Sequence, residues 1–355
     1  TGATRLFYSA RHEPAALHTE RSVVEALRRD GVESLRFQAS MLVEPASIHG
    51  RTGDNLQVFT PFLEAFLKQA EIRPPRPSPP QLPAPLHWPA TEPLTALGLL
   101  PQIPWHTSLA RHWQPGEQAA RAQLKSFVAK GLANYDLHRD RPDLPGSSRL
   151  SPFLHHGELS ARQVWRAAEQ ASLRSSHSPE AFRRSKFIAE LVWREYAAQQ
   201  LLRHPLLPDR PRDARFERLA WRTDEAQLRD WQAGRTGYAL VDAGMRELWQ
   251  TGWMHNRVRM VTASFLVKNL LLRWQEGERW FWDTLVDADL ANNALNWQWV
   301  AGTSPDAAPW FRIFNPDTQA ERFDPEGVSR RRFVPEAGTP GYSRPLVDLK
   351  ASRQR

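Results

Sequence analysis

Apolar and polar positions change their period several times along the chain. Thr4–Tyr8 is a short apolar run and reads as a strand. Ala15–Arg29 brings Val23, Val24 and Leu27 round at helical spacing, and Gly31 stands just past its end, which predicts a helix. Ser34–Phe37 and Met41–Val43 read as a second strand and its continuation. Pro61 suits a first helical turn, and Phe62–Gln69 follows with Phe62, Ala65 and Phe66 on one face. Residues 1–72 therefore read as a partial α/β domain. From Pro74 to Pro104 prolines remove donors and forbid helix, so residues 73–115 read as a proline-rich linker. Its leucines Leu94, Leu97, Leu99 and Leu100 suggest that it lies along a surface.

Beyond the linker the pattern is densely helical. The expected helices are Glu117–Ala133, Ser160–Ala171, Pro179–Leu202, Asp224–Gln232, Tyr238–Gln250, His255–Arg273, Trp280–Asp287 and Leu290–Trp299. Residues 116–325 read as one large all-α domain, and 326–355 as a polar, exposed tail carrying Arg330, Arg331 and Arg332.

With 355 residues and 41% hydrophobic content the chain buries a large core without staples. It holds no cysteine, which removes disulfides, thiol nucleophiles, iron–sulfur clusters and Cys-ligated zinc together. No apolar run is long enough to span a membrane, and a cytoplasmic monomer is the expectation. The formal charge is +8, carried almost wholly by arginine. Arginine favours bidentate phosphate contacts, although coding bias also enriches it. Most of the 15 tryptophans read as core anchors, but so many indoles raise the question of stacking or electron transfer.

Local motifs are individually weak. Gly146–Pro152 is a hydroxyl-rich loop before a helix, suited to a pyrophosphate but equally to plain capping. In Trp253–Met260, Asn256, Arg259 and Met260 share one helix face; they suit a heteroaromatic base, or an ordinary amphipathic helix. Asp289 and Asn293 are four apart in Asp287–Asn293. A metal site is not expected there, because no histidine or cysteine adjoins and arginines are at hand to pair the acids.

Taken together, Trp193–Tyr196, Gly237–Tyr238 with Val241–Arg246, Gly252–Arg257, Asp287–Asn293, Trp297–Trp299 and Phe311–Pro316 are long, ordered and collinear over roughly Glu117–Asp324. In this the chain resembles the DNA photolyase/cryptochrome family, and within it the class I cyclobutane pyrimidine dimer photolyases. Val58–Phe62 also resembles the start of the last helix of that family's antenna domain. The family's first-strand Phe-Arg-Arg-Asp-Leu-Arg motif does not occur, so the chain is expected to begin near the fourth strand of the doubly wound antenna domain.

The resemblance implies a non-covalent FAD held in the helical domain. Tyr135 and the loop Ser147, Ser148, Arg149, Leu150 and Ser151 match its phosphate-contacting positions. Asn256, Arg259, Asp287, Ala288, Asp289 and Asn293 match positions around the isoalloxazine and adenine, with Arg259 and Asp287 as a salt bridge and Asn293 facing flavin N5. The lesion side matches Glu190, Trp193, Asn256, Arg257, Met260 and Trp299, where aromatic walls stack on a flipped dimer. Arg139, Arg194, Arg257 and Gln319 match DNA contacts, and Trp221, Trp274 and Trp297 an electron-transfer chain. The implied activity is light-driven splitting of pyrimidine dimers in DNA by electron transfer from reduced FAD, without acid–base or nucleophilic groups.

A cryptochrome would share fold and flavin but tolerate loss of Glu190, Trp193 and Met260, all present. A (6-4) photolyase would place histidine at Asn256. A flavin-free DNA-binding relic is the reading from another class, and a yellow colour separates it from both enzymes. Folate-using relatives carry an Asn-Glu pair where Ala15 and Ala16 stand, which argues against a folate antenna in that mode; deazaflavin or no antenna stay open.

Overall fold

The chain is described here by a computed structural model covering residues 2–82, 84, 86–88, 90–175, 178–307, 312–342 and 344–349. Pro83, Pro85 and Pro89 of the linker, Phe311 of the Phe311–Pro316 motif and residues 350–355 of the expected tail lie outside the described residues.

Strands β1 (Arg5–Ser9) and β2 (Glu33–Phe37) pair in parallel, in register from Arg5 opposite Glu33 to Ser9 opposite Phe37. Helix α1 (Pro14–Arg29) crosses between them, with Pro14 in its first turn. Met41–Val43 is not a strand. The N–H groups of Leu42 and Val43 donate instead to the Glu195 carboxylate of the helical domain, at 2.8 and 3.4 Å, so no ladder forms there. Helix α2 (Phe59–Gln69) buries Phe59, Phe62 and Phe66. The linker leucines Leu94, Leu97, Leu99 and Leu100 stay exposed and cover no core, against expectation.

The helical domain comprises α3 (Glu117–Lys130), α4 (Ala161–Arg174), α5 (Lys186–Arg203), α6 (Ala239–Thr251), α7 (Asn256–Ser264), α8 (Trp274–Thr284), α9 (Leu290–Ala301), α10 (Pro316–Phe323) and α11 (Val328–Phe333), with shorter turns between. Several boundaries differ from the periodicity. Pro179–Leu202 is two helices, Pro179–Arg183 and α5, because the Ser185 side chain caps α5 by accepting from the Ile188 N–H. His255–Arg273 stops being α-helical at Ser264, passes through one π-turn at Phe265–Asn269 and ends where Leu271 adopts φ 57°. Helix α8 begins at Trp274, ahead of the expected Trp280.

The polar tail is corrected as well. Phe333 and Val334 are buried against α6, Tyr342 donates to Asp242 at 2.6 Å, and Tyr238 donates to the Val347 carbonyl. Arginines dominate this stretch, but its few apolar and aromatic residues find partners and hold it down through residue 349.

Among the described residues two large apolar cores result, besides the small cluster of Phe333 and Val334 against α6. One gathers α2, α3, α4 and α5 around Phe62, Phe66, Tyr196 and Ile188; the other gathers α6, α7 and α8 around Trp231, Trp274 and Phe265. Helix α9 belongs to both, giving Ala291, Ala294 and Leu295 to the first and Trp297 and Val300 to the second. A cavity lies where the cores meet. Among the described residues no helix is long and apolar enough to cross a membrane.

Candidate active site

The cavity measures about 440 Å³, within the range of small-molecule sites. Helices α5, α7 and α9 and the loop before Pro152 wall it. Most residues singled out from the sequence line it: Tyr135, Arg139, Ser147 to Ser151, Glu190, Trp193, Arg194, Asn256, Arg259, Met260, Asp287, Ala288, Asp289, Asn293, Trp297 and Trp299. Arg257, Gln319, Trp221 and Trp274 do not. Arg257 lies on α7 against the lining residue Met260, and Gln319 lies on α10; Trp274 is buried in the second core, and Trp221 packs against that core.

One wall is polar by construction. Arg259 donates to both oxygens of Asp287, at 3.1 and 2.9 Å, and its Nε donates to the Met254 carbonyl at 2.8 Å. Ser151 adds a hydrogen bond to Asp287 at 2.6 Å. This ion pair is largely removed from water and supplied with further hydrogen bonds, the condition under which such a pair is tolerated. Asp289 is engaged locally: it caps α9 through the Asn292 N–H at 2.8 Å.

The loop residue Arg149 holds a left-handed backbone at φ 54°, uncommon for a side chain of this size. Its guanidinium lies between two indoles, 4.9 Å from the Trp113 ring and 4.5 Å from that of Trp253. That sandwich holds the turn that presents Ser147, Ser148 and Ser151 to the cavity. Burial pushes the Arg149 pKa down.

Asn293 is oriented by a residue the sequence did not flag. Its amide nitrogen donates to the Glu278 carbonyl at 2.9 Å and to the Glu278 carboxyl at 2.8 Å. Both amide hydrogens are thereby used, and the side-chain carbonyl oxygen is left for the cavity. Burial raises the Glu278 pKa. Glu278 lies on α8, fifteen positions before Asn293, with no local spacing that reveals the pair.

His255 was also unmarked. Its Nδ1 accepts from the Arg257 N–H at 3.2 Å, capping α7, so Nε2 carries the hydrogen. Nε2 is buried and has no partner among the described residues. Burial lowers its pKa to about 4, so the ring is neutral near pH 7.

The aromatic walls are fixed from behind. The Trp193 indole stacks on Phe59 of α2, with centroids 3.6 Å apart and planes at 8°, and Tyr196 meets it edge-on at 5.6 Å. Trp297 contacts Phe281 at 5.0 Å and Trp231 at 6.2 Å. A Cβ on Gly277 would fall 2.1 Å from the Trp297 ring, so only glycine lets α8 approach that closely. At the mouth, Arg139 pairs with Glu190 at 2.6 Å and Arg257 with Asp140 at 2.8 Å. Burial, then the Glu190 charge, raises the Tyr135 pKa.

The residues fit a flavin dinucleotide. A hydroxyl loop, an internal Arg–Asp pair, an orphaned buried imidazole N–H and a single oriented carbonyl are donors and acceptors for a large polar ligand, set in an apolar and aromatic lining.

Comparison with known proteins agrees. Residues 187–341 match the family "FAD binding domain of DNA photolyase", and residues 1–84 match "DNA photolyase". The chain is 43% identical to the deoxyribodipyrimidine photo-lyase of Agrobacterium fabrum over 337 residues, covering 95% of this chain and 70% of that one. A class III photolyase structure from Agrobacterium tumefaciens superposes with TM-score 0.93 at 40% identity, covering 100% of this chain and 78% of the other. The likeness thus reaches beyond class I enzymes. A Synechocystis cryptochrome superposes with TM-score 0.86 at 29% identity, covering 99% and 78%. The fold, the cavity at the junction of its two cores and these matches make one statement: this chain belongs to the DNA photolyase family.

Proposed function

We infer that the chain is a deoxyribodipyrimidine photo-lyase, which splits cyclobutane pyrimidine dimers in DNA under light. The observation that carries the reading is the cavity itself, whose flavin-side and lesion-side groups converge on one space bounded by Asn293, Trp193, Trp299 and Met260. FAD held there in its reduced form would supply the light-driven electron for opening the ring, with no net redox change.

The protein's part is to bind, orient and exclude water. Ser147, Ser148, Ser151 and the intervening backbone hold the pyrophosphate, in the turn that Arg149 keeps in place. Arg259, Asp287 and Ala288 flank the ring system. Asn293 presents an acceptor, which matches a ring nitrogen that carries hydrogen, as reduced flavin does at N5. His255 contributes a fixed donor from a neutral ring.

On the lesion side Trp193 and Trp299 stack against the flipped bases, with Met260 and Asn256 between them. Glu190 reads the base edge, and must first exchange its contact with Arg139. Arg139, Arg194, Arg257 and Gln319 meet the phosphates around the opening. Trp297, Trp274 and Trp221 pass electrons inward to an oxidised flavin. Ala15 and Ala16 favour a chain without a folate antenna of the Asn-Glu type.

The test is a visible spectrum of the purified chain followed by binding to dimer-bearing oligonucleotide. Flavin absorbance and preferential binding of dimer DNA are expected; a colourless, folded protein would overturn the reading.

A further inference from the structure

At the mouth of the cavity two arginines are already paired with carboxylates. Arg139 donates to Glu190 at 2.6 Å and stands 3.8 Å from Asp140; Arg257 donates to the other Asp140 oxygen at 2.8 Å. Two guanidinium groups thus face two carboxylates, on a protein whose formal charge is otherwise +8. We propose that Asp140 is a specificity-determining residue: a built-in competitor that occupies the phosphate-binding arginines and keeps the protein's grip on undamaged DNA weak. This rests on the function inferred above.

Two effects of Asp140 compete, and the contacts decide between them. An acid beside an arginine either holds it in position for phosphate or neutralises it. Here the arginines have other supports. The Arg257 guanidinium lies 4.5 Å from the Phe323 ring centroid, and its Nη1 meets the Met260 sulfur at 3.8 Å. Arg139 is held by Glu190 and lies 5.6 Å from the Tyr135 ring. Each arginine thus has a hold besides Asp140, and the part assigned to Asp140 is the effect of its charge. The charged groups facing Asp140 are Arg139 on its own segment and Arg257 of α7, with Glu190 of α5 beyond Arg139. A phosphate that takes Arg257 must displace Asp140 and then stands near its charge.

Undamaged duplex presents phosphates alone, and nothing it brings offsets that exchange. A dimer that enters the cavity adds stacking on Trp193 and Trp299. The Asp140 side chain is about one-third exposed at 34%, so water screens it and the effect is moderate.

The test is binding of the full-length, flavin-loaded chain to undamaged and dimer-bearing duplex at several salt concentrations. Asp140→Asn is expected to tighten undamaged binding about three- to tenfold and to steepen the log–log salt slope by about one. Asp140→Glu keeps the charge and is expected to match the native chain; Asp140→Ser repeats the neutral case should the asparagine variant misfold. Unchanged or weaker undamaged binding in the neutral variants, or equal tightening by Asp140→Glu, would overturn the proposal. If the native chain does not prefer dimer DNA, the functional reading fails instead, whatever Asp140 does.

Discussion

The first β-α-β unit and the helical domain bury their helices very differently. Helix α1 repeats apolar residues at helical spacing, yet buries none of them, and Phe7 and Phe37 of its two strands are 61% and 55% exposed. Helix α5 has nearly all its inner two turns buried, from Glu195 to Leu201. An amphipathic pattern predicts an element; whether its face meets a partner depends on the rest of the chain. The segment that matters to the site is the stretch from Ser40 to Gln69, which lies against α5. Gln199 donates to the carbonyls of Pro45 and Ile48, Gln200 to that of Leu56, and Tyr196 to that of Gln57. One side of α5 is clamped by this segment while Glu190, Trp193 and Arg194 face the cavity.

That contrast yields predictions of decreasing size. Trp297→Phe is expected to abolish photoreduction of oxidised flavin while chemically reduced enzyme still repairs dimers, read by flavin bleaching and dimer loss. Equal loss of both would give Trp297 a structural role. Phe62→Ala, in the core behind α5, is expected to cost about 3–5 kcal/mol, read as a lower unfolding midpoint. A cost near that of a surface change would break the contrast.

Glu195→Gln sharpens it through pH. Burial raises the Glu195 pKa to about 7 from 4.5. The folded state therefore binds more protons than the unfolded state between those values, and its stability falls as pH rises through that window. Glutamine has no such loss, so the variant should compare about 2–3 kcal/mol better against the native chain at pH 8 than at pH 4.5. A pH-independent difference would show that burial leaves this carboxyl group at its unfolded pKa. Phe7→Ala, on the exposed sheet face, is expected to change stability by no more than about 0.5 kcal/mol, with flavin content unaltered.

Much of the site was legible because its residues lie in collinear motifs. Asn256, Arg259 and Met260 share α7, and Asp287 and Asn293 follow after α8, the first just before α9 and the second on it. What was not legible depends on long-range partners. Glu278 orients Asn293 from a neighbouring helix, Phe59 backs Trp193 from another domain segment, and Glu195 takes the hydrogen bonds that would have made Met41–Val43 a strand. The His255 cap was within reach of the sequence, two residues from the N–H it receives, but histidine is not a usual capping residue. The folded C-terminal segment was missed because arginine-rich composition outweighed Phe333, Val334 and Tyr342.

The most direct test illuminates the purified, reduced chain with dimer-bearing oligonucleotide and follows dimer loss against a dark control. Loss in the light alone, over many dimers per protein and with no net oxidation of the flavin, is the result expected. Dimers that persist under light while flavin and DNA are both bound would contradict the assignment of this cavity as a repair site.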